Sequence, residues 1–166
     1  MQTEQKEFVE RRFKMRAWHG RSRHAGRVLK DFSFEKLDLA GWTLHRQREY
    51  EQVKPKAIRS LWRHGESTEE LLAIDVFECT SIKAAHDQLL EALGNMQSDA
   101  IELRTGKGNP GDVAFSLGDT MILFAIANLV VLVRNAGPVP VGVGKVAREL
   151  ERAILKSLER TRSKEK

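Results

Sequence analysis

The chain's single cysteine, Cys79, stands seven residues before His86, and these are the side chains best suited to covalent chemistry. A nucleophilic thiol gains from a helix N-terminus, which lowers its pKa, and needs a base within hydrogen-bond reach. Cys79 closes an apolar run just before an expected helix, but His86 falls almost two turns into that helix, on the flank of its apolar stripe. A small buried hydrophobe at a strand end fits Cys79 better. A thiol-dependent enzyme using Cys79 and His86 is therefore the last of three readings of function.

His19 and His24, within "WHGRSRHAGR" (18–27), offer two metal ligands. A zinc site needs three or four at recognised spacings, and no cysteine or acidic partner follows nearby. They read as solvated loop histidines, and neither a metal nor a cofactor is expected. "GKGNPG" (106–111) lacks the phosphate-loop order and precedes a strand, so it reads as a hairpin loop. "GVGKV" (142–146) opens a helix and could hold a small anion, but helix entry is the better reading. Asp112 and Asp119 flank one strand and belong to turns, while Asp75 and Glu78 have opposite strand parity. No set of nucleophile, base and orienter emerges, and an enzyme is not the expected answer.

Cations are the stronger signal. Residues 1–30 hold nine Lys/Arg against three Glu, among them Arg11, Arg12, Lys14, Arg16, Arg21, Arg23 and Arg27. The chain's formal charge is +5, so an acidic body lies between basic ends, a pattern that bears on partners and not on fold. Further on, Arg46 and Arg48 share a strand face with Tyr50, and Trp62 stands beside Arg63 and His64. Aromatics among cations can hold single-stranded nucleic acid. Glu49, Glu51, Glu66, Glu69 and Glu70 share the region, however, and make a half-exposed face of mixed charge the simpler account.

The elements that position these residues follow from periodicity. Residues 4–18 can form a helix with a thin apolar face (Phe8, Val9, Phe13, Ala17), and the glycines after it discourage continuation. The first 30 residues therefore read as helix plus loop outside the core. Strands are expected over 41–52, 56–65 and 71–79, an antiparallel meander in which Ile58, Ser60 and Trp62 oppose Arg59, Leu61 and Arg63. A helix follows, capped by Thr80 or Ser81, striped by Ile82, Ala85, Leu89, Leu90 and Leu93, and stopped by Gly94-Asn95. A short strand, "AIELR", precedes a second meander over 112–117, 120–126 and 129–135, apolar enough to be covered on both faces. Val146, Leu150, Ile154 and Leu158 then mark a C-terminal helix.

The order, meander, helix, meander, helix, predicts an α+β domain with helices packed on a mostly antiparallel sheet. Its expected bounds are 35–160, with a basic extension over 1–34 and a charged tail over 161–166. The ending "GDVAFSLGDTMILFAIANLVVLVRNAGPVPVGVGKVARELERAI" resembles that of PsbP-like α+β sandwich domains of small exported or lipid-anchored bacterial proteins, over about residues 41–158. Domains of that kind serve mainly in binding or assembly, and the resemblance carries no site residue. The longest apolar run, Met121 to Val133, has 13 residues, too few for a membrane helix of about 20. As written, without an apolar leader, the chain is expected in the cytoplasm, or exported if a signal peptide has been removed. The expected function is non-enzymatic binding or assembly through the basic arm and an exposed sheet face. The expected partner is an acidic protein surface or a second copy, and the runner-up is a nucleic-acid-associated accessory protein.

Overall fold

The computed structural model describes residues 3–15 and 28–164. Its elements are α1 (Thr3–Arg12), a 3-10 turn (Phe34–Lys36), β1 (Trp42–Tyr50), β2 (Lys56–His64), β3 (Leu71–Glu78), α2 (Ile82–Met96), β4 (Glu102–Leu103), β5 (Val113–Leu117), β6 (Met121–Ile126), β7 (Leu129–Asn135) and α3 (Val143–Lys164). The seven strands form one antiparallel sheet in the order β1-β2-β3-β7-β6-β5-β4. It is an α+β fold with helices packed on the sheet.

The apolarity of β6 and of residues 129–133 in β7 has a direct cause, because both faces of this part of the sheet are covered. Leu129, Val131, Val133, Ile122 and Phe124 meet Val146, Ala147, Leu150 and Ile154 of α3. The alternate residues Val130 and Leu123, with Phe115 of β5, meet Ala85, Leu89, Leu90 and Leu93 of α2. Successive strand side chains point to opposite faces, so a two-sided core leaves no polar position in the run.

Helix α2 starts where expected, with Ser81 Oγ accepting the Ala84 N–H at 3.0 Å. It does not stop at Gly94. The helix runs on to Met96 and closes at Gln97, which takes the left-handed conformation at φ 46°. Gly94 lies inside the helix, beside the Gln5 side chain of α1.

The described N-terminal residues, 3–15 and 28–34, contribute to the core, although their composition placed them outside it. Helix α1 ends at Arg12, short of residue 18, and it packs on α2 with Val9 and Met15 buried. The Phe13 ring meets Phe115 edge-on at 4.9 Å, and the Lys6 ammonium donates to Asp87 at 2.6 Å. On the other face Leu29, Phe32 and Phe34 are buried beside Trp62, so the domain extends upstream of the boundary expected at residue 35. A thin apolar face suffices because each segment only completes a core that the longer helices leave open.

Asn128 fastens the second of these segments. It is fully buried in the β6–β7 turn; its Oδ1 accepts the Leu29 N–H at 2.7 Å and its Nδ2 donates to Leu29 O and Cys79 O, each at 2.8 Å. The Glu78 carboxylate accepts the N–H groups of Asp31 and Phe32, at 3.2 and 3.0 Å. One asparagine thus satisfies three buried backbone groups.

Candidate functional site

Strand β1 changes face partway along. Leu44 lies opposite Trp62, but the register slips between Leu44 and Arg46, after which Arg46 pairs with Leu61, Arg48 with Arg59 and Tyr50 with Ala57. One extra residue, His45, inverts the pleat. Trp42 and Leu44 therefore pack on the α3 side, while Arg46, Arg48 and Tyr50 emerge on the side of α1 and α2. Read without the bulge, all five residues have the same parity.

The other strands bring more guanidiniums to that face. On β2, Arg59, Leu61 and Arg63 alternate with the buried Ile58, Ser60 and Trp62. Pairing across the sheet then lines up two rows, Arg46–Leu61–Ala73–Arg134 and Arg48–Arg59–Asp75–Leu132. The second row continues through Leu123 to Phe115, beneath α2. Helix α2 lies over β3, β7 and β6. Beyond it Arg46, Arg48, Arg59 and Arg134 are exposed and Arg63 is half-buried. Five arginines against Asp75 leave this wing of the sheet with four positive charges uncompensated. Two of the glutamates that mix with them in sequence go elsewhere. Glu49 has the opposite parity and pairs with Lys56 at 3.3 Å, and Glu70 lies 2.9 Å from His64 Nδ1.

Asp75 marks the border between open wing and covered core. Its side chain is 7% exposed, and its Oδ2 lies 3.7 Å from Arg134 Nη2 and 3.9 Å from Arg59 Nε. These are attractions at more than hydrogen-bond length. Burial pushes the carboxyl pKa up, and Arg134 and Arg59 offset only part of that. The two guanidiniums are half-exposed and keep donors free for a ligand. Tyr50 ties Arg59 to a third, with the Arg48 and Arg59 guanidiniums 5.1 and 5.4 Å from its ring centre. The wing can hold anions bidentately and can stack planar groups.

Trp62, expected beside Arg63, is not part of this surface. It is 2% exposed, belongs to the α3 side, donates to Ser60 Oγ at 2.9 Å and meets Phe34 edge-on. Of the N-terminal cations, Arg12 is engaged in the fold: its Nη2 donates to Ser98 O at 2.8 Å and Ile101 O at 3.3 Å. Arg11 is exposed and Lys14 half-buried after α1. Arg16, Arg21, Arg23, Arg27, His19 and His24 lie outside the described residues. Among the described residues no three His, Cys, Asp or Glu cluster as metal ligands.

Cys79 is not poised as a nucleophile. It is 3% exposed, and burial, helped by the charge of Glu78, pushes its thiol pKa up to about 12. His86 is buried on the core side of α2. A thiolate, the species that attacks, is thus disfavoured and not promoted. The anion position at "GVGKV" is also taken, since Gly144 N–H donates to Asp119 Oδ1 at 3.4 Å and Val143 N–H to Asp119 O at 3.2 Å. "GKGNPG" lies in the β4–β5 connection, where Arg104 donates to Asn109 and Gly111 N–H to Glu151.

Arg59 and Arg134 join the site without having been singled out in the sequence, where Asp75 was weighed only as a carboxylate beside Glu78. Arg59 shares the parity of Arg63 on β2, which was a usable signal. Asp75 comes beside Arg59 through the β2–β3 pairing of the expected meander, whereas Arg134 needed the β3–β7 pairing, for which no local signal exists. No family model, curated protein or solved structure matches this chain.

Proposed function

We propose that this protein is a non-enzymatic binding or assembly module that docks an anionic macromolecule on the β1–β2–β3–β7 wing. One observation carries the reading: the β1 bulge and the β2 pleat sort the arginines onto a single open face and send Glu49 to the other. Basic residues 1–30 add to the same attraction. The surface supplies long-range steering together with fixed guanidinium donors, which is what capture of an anionic partner requires. The PsbP-like resemblance belongs to the same proposal. It is supported by helices on both sides of the sheet and by consecutive pairing within β1–β3 and β5–β7, the strands of the two expected meanders.

Elution from immobilised heparin tests the docking surface. The triple substitution Arg46→Gln, Arg48→Gln, Arg63→Gln removes three wing charges. Its control removes three exposed cations of α3 by Lys145→Gln, Arg148→Gln, Arg152→Gln. The wing variant is expected to elute at clearly lower salt than the control. Equal shifts for the two would refute a dedicated surface.

A further inference from the structure

Resting on that reading, we infer that the occupant of the wing is a single-stranded nucleic acid, with its phosphates on the arginines and a base stacked at the Tyr50 platform. The first argument is residue type. All five cations are arginine, whose planar fork matches phosphate bidentately and stacks on aromatic rings and bases, as lysine does not. The second is spacing. Neighbouring strands lie about 4.8 Å apart and alternate residues about 6.8 Å apart along a strand, so the charges spread over about 14 by 14 Å. A flexible phosphodiester chain supplies one negative charge per nucleotide over such an area.

The third argument separates this occupant from an acidic protein. Stable protein interfaces have an apolar, aromatic-rich centre depleted of charge. Here the centre is Arg59 and Arg134 around Asp75, and the apolar residues between them, Leu61 and Ala73, are half-buried already. The fourth separates single strands from duplexes. The wing is a sheet face, not a ridge for a groove, and its aromatic group with two guanidiniums at 5.1 and 5.4 Å is a stacking surface that needs an unpaired base.

The test is fluorescence anisotropy with the full chain and four labelled probes: 12-mer oligo-dT, 12-mer oligo-rU, a 12-base-pair duplex and poly-glutamate of similar length. With four phosphates neutralised, the log–log salt slope for the single strands is expected near −2.8, a loss of about fifty-fold in affinity between 50 and 200 mM salt. The Arg46→Gln, Arg48→Gln, Arg63→Gln variant should reduce that slope by about 2.1. Tyr50→Ala should weaken single-strand binding by about ten-fold, while Tyr50→Phe, which keeps the ring, leaves it within about two-fold. Thermal unfolding of both Tyr50 variants separates lost stacking from lost folding.

If poly-glutamate binds as well as the oligonucleotides and depends equally on the wing arginines, this inference fails and the docking surface stands. If the duplex binds as tightly as the single strands and Tyr50→Ala changes nothing, it fails likewise. If no probe binds through the wing, the docking reading fails with it.

Discussion

Replacing Asp75 by asparagine perturbs the wing at its border and has two readouts of known sign. The buried carboxyl has a folded pKa above its ordinary value because desolvation outweighs the attraction of Arg134 and Arg59. A raised folded pKa means that the native state binds the proton more tightly than the unfolded chain does. The resulting stability is fully present below the unfolded carboxyl pKa and is lost as pH rises through the folded value. The ionised side chain therefore costs stability at neutral pH. Its partners are half-exposed and rehydrate when it is gone, so each lost attraction is worth only about 0–1 kcal/mol. Asp75→Asn should leave stability at pH 7 within about 1 kcal/mol of the parent or improve it. Its advantage should grow as pH rises from the ordinary Asp value of 3.8 through the folded pKa, then level off. Urea unfolding of both proteins between pH 3.5 and 7 gives that difference directly. On the binding side, one more uncompensated guanidinium should steepen the single-strand salt slope by about 0.7. A loss of about 3–5 kcal/mol at pH 7, the signature of a broken tight buried pair, would refute this reading of Asp75. So would an advantage that shrinks as pH rises.

Two further outcomes probe the frame that carries the wing. Asn128→Ala strands the Leu29 N–H and the Leu29 and Cys79 carbonyls without their partner, and should cost about 2–4 kcal/mol. At about 2–4 °C per kcal/mol for a chain of this size, thermal unfolding should fall by about 4–16 °C, and a shift under 2 °C would contradict the clasp. With its thiol pKa up at about 12 and its side chain buried, native Cys79 should react with a disulfide reagent at pH 8 only as fast as the chain opens. Rapid stoichiometric labelling without denaturant would contradict that placement.

Much of the frame was legible because its signals are local. The apolar runs of β6 and β7, the Ser81 cap and the four-residue stripe of α3 each carry their own period or cap. What escaped depended on long-range contact. Gly94 looks like a stop from its neighbours alone, yet the helix runs through it to Met96 with α1 packed alongside. Asn128 looks like an interruption of an apolar run, whereas its partners are residues 99 and 49 positions away. The site was half visible. Arg46, Arg48 and Tyr50 keep one parity, but the His45 bulge turns them away from Trp42 and Leu44, and no pattern in the sequence announces a bulge. Trp62 follows from the same pleat, because the tryptophan beside an outward arginine on a strand points inward.

The central claim is that the wing arginines, and not the chain's basic residues at large, contact the nucleic acid. Arginine Nε–Hε resonances recorded during titration with oligo-dT test it most directly. The account predicts that Arg46, Arg48, Arg59, Arg63 and Arg134 shift together and saturate with the oligonucleotide, while Arg148 and Arg152 of α3 stay in place. Shifts spread evenly over both sets, or confined to arginines outside the wing, would contradict it.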